Sequence, residues 1–287
     1  MPDLSLTILD DLAVLSARGA DTVTFLQGQL SQDIAQLSLR ANLLAGLHSP
    51  QGRCIAVLRL LKLADDHVLM VLPEGIADPV RTLLSRYVLR SKVKIEDVSL
   101  AWRIYGVSGP DAAAAASTRL AMSVEPGGLR QLIVAPRNEP LPEGERDGRD
   151  EWRRADIAAG LPEIVAATSG LFIAQMLNLD RLDAISFNKG CYTGQEIIAR
   201  AHYRGTVKRR MQRFATDSDA PLAPGEKVRL ADGRSAQIVM ATPGEAQGHE
   251  FLAVTTLGSD PGAETEEGST SPGKALFAVQ LPLPYTF

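Results

Sequence analysis

The sequence predicts an α+β body followed by a small all-β domain that closes as a barrel. Three observations predict it. Up to about residue 160, strand-like and helix-like segments mix without a strict βαβ repeat. After about residue 206 the chain changes to short apolar runs separated by Pro-Gly turns at 224–225 and 243–244. The length of 287 residues, 45% of them hydrophobic, allows two or three domains with cores of their own. The body is therefore expected over residues 1–205, in two subdomains, and the barrel over 206–287.

Residues 4–17 alternate enough to be strand material. Asp21 is expected to cap a short helix carrying Val23, Phe25 and Leu26, with Gly28 as its stop. Cys54 to Leu63 and His67 to Leu72 read as two strands joined at Asp65-Asp66. Asp78-Pro79 is expected to start the clearest helix, whose Val80, Leu83, Leu84, Tyr87 and Val88 keep helical spacing. Val93 with Ile95 and then Trp102 to Val107 are strands, Ala112 to Leu120 an alanine-rich helix, and Leu129 to Val134 a strand. Residues 136–150 form an exposed loop, and Glu151 to Ala159 a helix ended by Gly160. In the last domain Phe214, Val228, Ile238-Val239 and Phe251 to Val254 mark strands, and the acidic stretch 258–273 is a surface loop.

The charge balance is −4, which argues against a globally basic nucleic-acid binder. Two cysteines far apart, with no basic and apolar leader, point to free thiols in a reducing, cytoplasmic setting. No stretch is long and apolar enough for a membrane span. Neither a phosphate-binding loop nor a dinucleotide glycine fingerprint occurs, and His48, His67, His202 and His249 lack metal-ligand spacing. Two cysteines do not supply four thiolates, so no permanently bound metal or cluster is expected.

The chemistry concentrates in Lys189-Gly190-Cys191-Tyr192-Thr193-Gly194-Gln195-Glu196. Thr193 and Glu196 form a capping-box pattern, which makes Thr193 the N-cap of a helix through Ile197, Ile198 and Ala199. Cys191 then stands by the positive end of the helix, with Lys189 adding charge, and both influences favour a thiolate. A cysteine near a helix start is commonly a small buried hydrophobe. The flanking Gly190 and Gly194, which permit sharp turns and close approach, favour a displayed thiol here.

From Arg200 to Arg213 run six cations (Arg200, Arg204, Lys208, Arg209, Arg210, Arg213) and no acid. Such a run suits an anionic partner, or equally a strand edge made positive against aggregation. Gln27 and Gln29 flank Gly28, and amides suit a flat heterocycle with mixed donors and acceptors. In the turn Ser49-Pro50-Gln51-Gly52-Arg53, Arg53 is placed to clamp a carboxylate, whereas Cys54 belongs to the core.

Together these segments resemble the YgfZ family, folate-binding proteins related to the T-protein (aminomethyltransferase) of glycine cleavage. The resemblance rests on Phe25 to Gln29 with Asp33, Ser49 to Arg53, Tyr87 to Val93, Gly160-Leu161-Pro162, Gln175 to Leu179, Lys189 to Glu196, Ala199-Arg200 and Tyr203-Arg204-Gly205. It implies a T-protein-like α+β body around a central channel, a C-terminal β-barrel, and tetrahydrofolate or a derivative as ligand. Cys191 and Lys189 become the functional pair, with Cys191 as nucleophile or transient metal ligand. Gln27, Gln29 and Gln175 are expected toward the pterin, and Arg53, Arg200 and Arg204 toward the glutamate tail.

The implied role is support of iron–sulfur cluster assembly or repair, with iron–sulfur proteins or their assembly machinery as partners. Any effect on tRNA modification would be indirect, without direct tRNA binding. Two departures separate the chain from aminomethyl transfer. The place of the T-protein's acidic pair falls at about Ala56-Val57, both apolar, and Cys191 stands where the T-protein tends to have Asp. A third departure is Ala135-Pro136-Arg137 where the family commonly has Asp-Pro-Arg. The rival readings are a folate-dependent one-carbon transferase and a tRNA-binding module acting through Arg200 to Arg213.

Overall fold

A computed structural model describes residues 4–39, 42–117, 120–124, 129–141, 145–146, 148–205, 207–258 and 274–287. The chain opens with β1 (Ser5–Ile8), β2 (Leu12–Arg18), α1 (Thr22–Gln29), β3 (Leu43–His48), β4 (Cys54–Ala64), β5 (His67–Pro73), α2 (Glu74–Val88) and β6 (Lys94–Asp97). β7 (Trp102–Ser108), α3 (Ala112–Ala116), β8 (Ala121–Ser123), β9 (Arg130–Pro136), β10 (Glu145–Arg146) and α4 (Arg149–Ala158) follow. Then come α5 (Gln195–Tyr203), β11 (Arg209–Thr216), β12 (Lys227–Leu230), β13 (Ser235–Pro243), β14 (His249–Thr256), β15 (Lys274–Leu276) and β16 (Val279–Leu281).

The elements make three sheets, ordered β3-β4-β5-β2-β6, β10-β1-β7-β9-β8 and β15-β12-β13-β14-β11-β16. The first is buried on both faces, which explains the near-continuous apolar run of β4. Ala56, Leu58 and Leu60 face the core that also holds α1 and α2, while Leu61, with Leu69 and Val71 of β5, faces β7, β9 and Trp152. Arg59 lies on that second face, where the buried Asp156 carboxylate receives it at 3.6 Å and Arg130 at 2.9 Å. This ion triplet ties the first two sheets together through α4.

The third sheet curls. β15 and β16 lie at its opposite edges, yet only residues 277 and 278 separate them in sequence. Three Cα steps reach ~11 Å at most, so the two edges are drawn together. Among the described residues those edges do not pair with each other, so the domain is barrel-like rather than fully closed. Phe214 and Phe251 stack inside it with centroids 5.3 Å apart.

Several elements depart from expectation. α2 begins at Glu74, with Pro79 inside it, because Ile76 and Ala77 bury in the same core as Val80 and Leu84. That burial offsets the hydrogen bond that Pro79 does not make. Asp21 holds the N-cap position of α1, but its side chain does not cap the helix: its carboxylate accepts from the Lys92 backbone N–H at 2.6 Å, and the helix runs through Gly28 to Gln29. α3 stops at Ala116, where the Ser117 hydroxyl donates back to the Ala114 carbonyl. Within 136–150 the short β10 pairs parallel with β1. The expected domain boundary meets Thr206, and the acidic stretch covers 259–273; both lie outside the described residues.

Candidate functional site

Three of the segments singled out in the sequence meet at the end of α1. A helix end leaves backbone carbonyls without partners. Here the Lys189 ammonium donates to the carbonyls of Gln27, Leu30 and Gln32 at 2.8, 2.7 and 2.8 Å. Its three hydrogens are thereby matched one to one. The Tyr192 ring covers the ammonium at 5.1 Å. Burial pulls Lys189 down to about 8, against the opposing pull of Asp33. Thr193 donates its backbone N–H to the Gly28 carbonyl at 3.2 Å, which extends the same clamp.

The second contact is backbone on backbone. Gly194 has φ +83°, and a Cβ there would stand 2.6 Å from the Ser49 carbonyl oxygen. Gly52 has φ +73°, and its Cβ would stand 2.8 Å from that of Ile197. The turn Ser49–Arg53 and the turn before α5 therefore pack at a distance only glycine permits. This corrects the capping expectation. Gly194, in left-handed conformation, takes the cap position, no side chain caps the helix, and α5 starts at Gln195. Glu196 is exposed and pairs with Arg200 at 3.6 Å instead. Between the clamped residues, Gly190 and Cys191 stand exposed, and the thiol is free.

Cys54 is fully buried, its thiol pushed up to about 12 by burial, in keeping with a core role. His48, whose spacing in the sequence marks no metal site, lies directly behind the site. Its side chain is buried, with no hydrogen-bond partner for either ring nitrogen, and burial pulls it down to about 3. The ring lies over Gly46, where a Cβ would stand 2.3 Å from Nε2. A glycine two residues before a histidine on one strand was the only sequence signal for this arrangement.

The six expected folate contacts do not converge. Gln27 spends its amide on Asp33 Oδ1 and the Ile34 N–H, at 2.8 and 2.7 Å. The Gln27 bond foremost, with bonds from Gln36 and the Ala35 N–H, holds the Asp33 carboxyl below its ordinary value. Gln29 is half-buried. Gln175 is buried and donates to the Ile198 carbonyl at 2.7 Å, tying a 3-10 turn to α5. Arg53 donates to the Leu171 carbonyl at 2.8 Å, and Arg200 and Arg204 are exposed on α5 and just after it. A cavity of about 180 Å³ lies elsewhere, lined by Asn42, Leu43, Leu44, Arg59, Leu161 and Asp183 among others. Asp183 has φ +51°, uncommon for a non-glycine residue. The Gln32 amide donates to its backbone carbonyl, so Gln32 touches both the cavity wall and, through its own carbonyl, Lys189. A second crevice, among Asp11, Arg59, Arg153, Asp156 and Glu163, measures about 10 Å³, room for one water at most.

The cation run divides. Arg210 is buried and bidentate to Asp180 at 2.9 and 2.8 Å, with the Phe287 ring against its guanidinium. Arg213 pairs with Glu250 at 2.7 Å, and Arg209 is half-buried. Only Arg200, Arg204 and Lys208 of the six are exposed. Arg210 and Arg213 of β11 are engaged in ion pairs, so the run is not a continuous anionic-ligand face. Among the described residues no group of three His, Cys, Asp or Glu side chains gathers to hold a metal. No helix among them is long and apolar enough to cross a membrane.

No family model matches the chain. An uncharacterized protein of Haemophilus influenzae is 33% identical over 224 residues, which cover 77% of this chain and 77% of that protein. The chain belongs to that protein's family. The glycine cleavage system aminomethyltransferase T from Bartonella henselae matches with a TM-score of 0.68 at 15% identity, over 88% of this chain and 78% of that one. At that identity the likeness shows a shared fold. The aminomethyltransferase-like fold accounts for the mixed sheets of the body and for the curled third sheet together. Within it, Ala56 and Val57 are both buried in apolar cores, so the place expected for an acidic pair carries no carboxylate.

Proposed function

We propose that this protein is a folate-binding protein of the YgfZ type that supports iron–sulfur proteins, with Cys191 as its working thiol. The observation that carries the reading is Cys191 itself: a free, exposed thiol beside residues that are clamped against two other segments. Core cysteines such as Cys54 look nothing like it. The fold supports a folate-type ligand, because the aminomethyltransferase named above belongs to a folate-using system. The cavity fits the pterin end in its chemistry: Asp183 and Asn42 offer an acceptor and an amide, and the leucines offer apolar faces. Arg59, held only at 3.6 Å by Asp156, has further N–H groups to give.

Tetrahydrofolate, when bound, would supply a one-carbon carrier or a reductant. The chain's own residues bind and orient it. Absence of a carboxylate at Ala56-Val57 counts against aminomethyl transfer, which needs a group to manage protons. The exposed sulfur of Cys191 is suited to taking a metal or cluster fragment transiently, as a single soft ligand.

Two measurements test this. Titration with 5-formyltetrahydrofolate should show saturable binding that Asp183→Ala weakens by about tenfold. The Cys191→Ala protein should keep saturable binding of the same ligand, within about fivefold of wild type, yet fail to restore iron–sulfur enzyme activity in cells lacking the chain. Full restoration by Cys191→Ala removes the thiol from the function.

A further inference from the structure

Lys189 and Cys191 are two residues apart, and a lysine so placed invites the role of electrostatic partner to the thiol. The geometry argues otherwise. An ammonium has three hydrogens, and all three of Lys189's are taken by the carbonyls of Gln27, Leu30 and Gln32. None is left for a sulfur. Two of those carbonyls, of Gln27 and the C-cap Leu30, belong to the negative end of α1, and that of Gln32 lies just beyond it, so the charge is answered where it sits. The Tyr192 ring lies against the ammonium as well. Among the described residues, Asp33 acts on Lys189 by charge and Tyr192 lies against it.

The same contacts fix the turn. Lys189 is anchored through its side chain, Thr193 through its backbone N–H to Gly28, and Gly194 against Ser49. Only Gly190 and Cys191 lie exposed between these anchors, and nothing stands within 4 Å of a Cβ built at Gly190. We propose that Lys189 is a positioning residue: it acts on Cys191 by holding the turn to the end of α1, so that the thiol stands at a fixed apex. This role rests on reading Cys191 as the working thiol.

Arginine separates position from charge. It keeps the charge, but its planar fork does not point three hydrogens at three converging carbonyls. Alkylation of Cys191 by iodoacetamide is followed across pH in the full chain, with Cys54 buried and silent. In Lys189→Met the rate should change by about threefold or more at every pH with its midpoint unmoved, and Lys189→Arg should behave like Lys189→Met. A midpoint that rises in Lys189→Met and returns in Lys189→Arg would make Lys189 an electrostatic partner and overturn the proposal. Unchanged rates in both variants would overturn it too.

The wild-type protein gives a check that no folding defect can blur. Reductive methylation should modify Lys189 more slowly in the folded protein than in the urea-unfolded chain by about tenfold. Equal rates would mean that the clamp is absent, and would overturn the proposal. These labelling rates test position whatever the thiol does, whereas restoration of iron–sulfur activity by Cys191→Ala removes only the thiol's function.

Discussion

At the scale of the residue, His48 makes the fold sensitive to acid. Its ordinary value is 6.5, and burial without a partner lowers it to about 3. The folded state holds His48 neutral, while the unfolded chain protonates it below 6.5. Its contribution is therefore complete above 6.5 and is lost as pH falls toward 3, at about 1.4 kcal/mol per pH unit. Urea unfolding of wild type and His48→Met between pH 7 and 4.5 should show the variant losing less stability on acidification. Parallel slopes would mean that the ring finds a proton acceptor in solution. The difference between the two proteins isolates His48 from His67, which burial also lowers, and from Glu163, which burial raises. Sequence reasoning found the exposed thiol, because glycines and a lysine surround it. It passed over His48, because burial without partners is a property of packing that no neighbouring residue type announces.

Among the elements, the entry to α5 shows how a local rule yields to a tertiary contact. Thr193 and Glu196 have the spacing of a capping box, yet Gly194 takes the cap position with φ +83°. The close approach to Ser49 demands that conformation, and with it the reciprocal side-chain bonds are not made. Alanine at 194 would meet both penalties, a left-handed backbone and a Cβ 2.6 Å from a carbonyl oxygen. Gly194→Ala should destabilise by at least about 2 kcal/mol, whereas Gly190→Ala, in open space, should stay within about 0.5 kcal/mol. Equal midpoints in a urea series would show that the two turns do not pack as described. The helix α2 teaches the same lesson from the other side: Asp78-Pro79 has the chemistry of a start, but apolar Ile76 and Ala77 carry the helix back to Glu74.

Across the whole molecule, the change from mixed to all-β character was legible because periodicity and turn residues are local. The division of the cation run was not, since Asp180 and Glu250, which claim Arg210 and Arg213, lie far off in sequence. The same holds for the link between the cavity and the thiol turn. Gln32 donates its side-chain amide to the Asp183 carbonyl at the cavity wall, and its own carbonyl accepts from Lys189, two residues before Cys191. A ligand that shifts Asp183, whose backbone already sits at φ +51°, pulls on the residue that holds the turn. The two sites should then be coupled, and coupling between binding equilibria is reciprocal. Carbamidomethylation of Cys191 should change the affinity for 5-formyltetrahydrofolate by about fivefold, at the low end of such couplings. Gln32→Met should abolish that change while leaving a measurable affinity. An affinity indifferent to the state of Cys191 would mean that cavity and thiol work independently, and that the path through Gln32 transmits nothing.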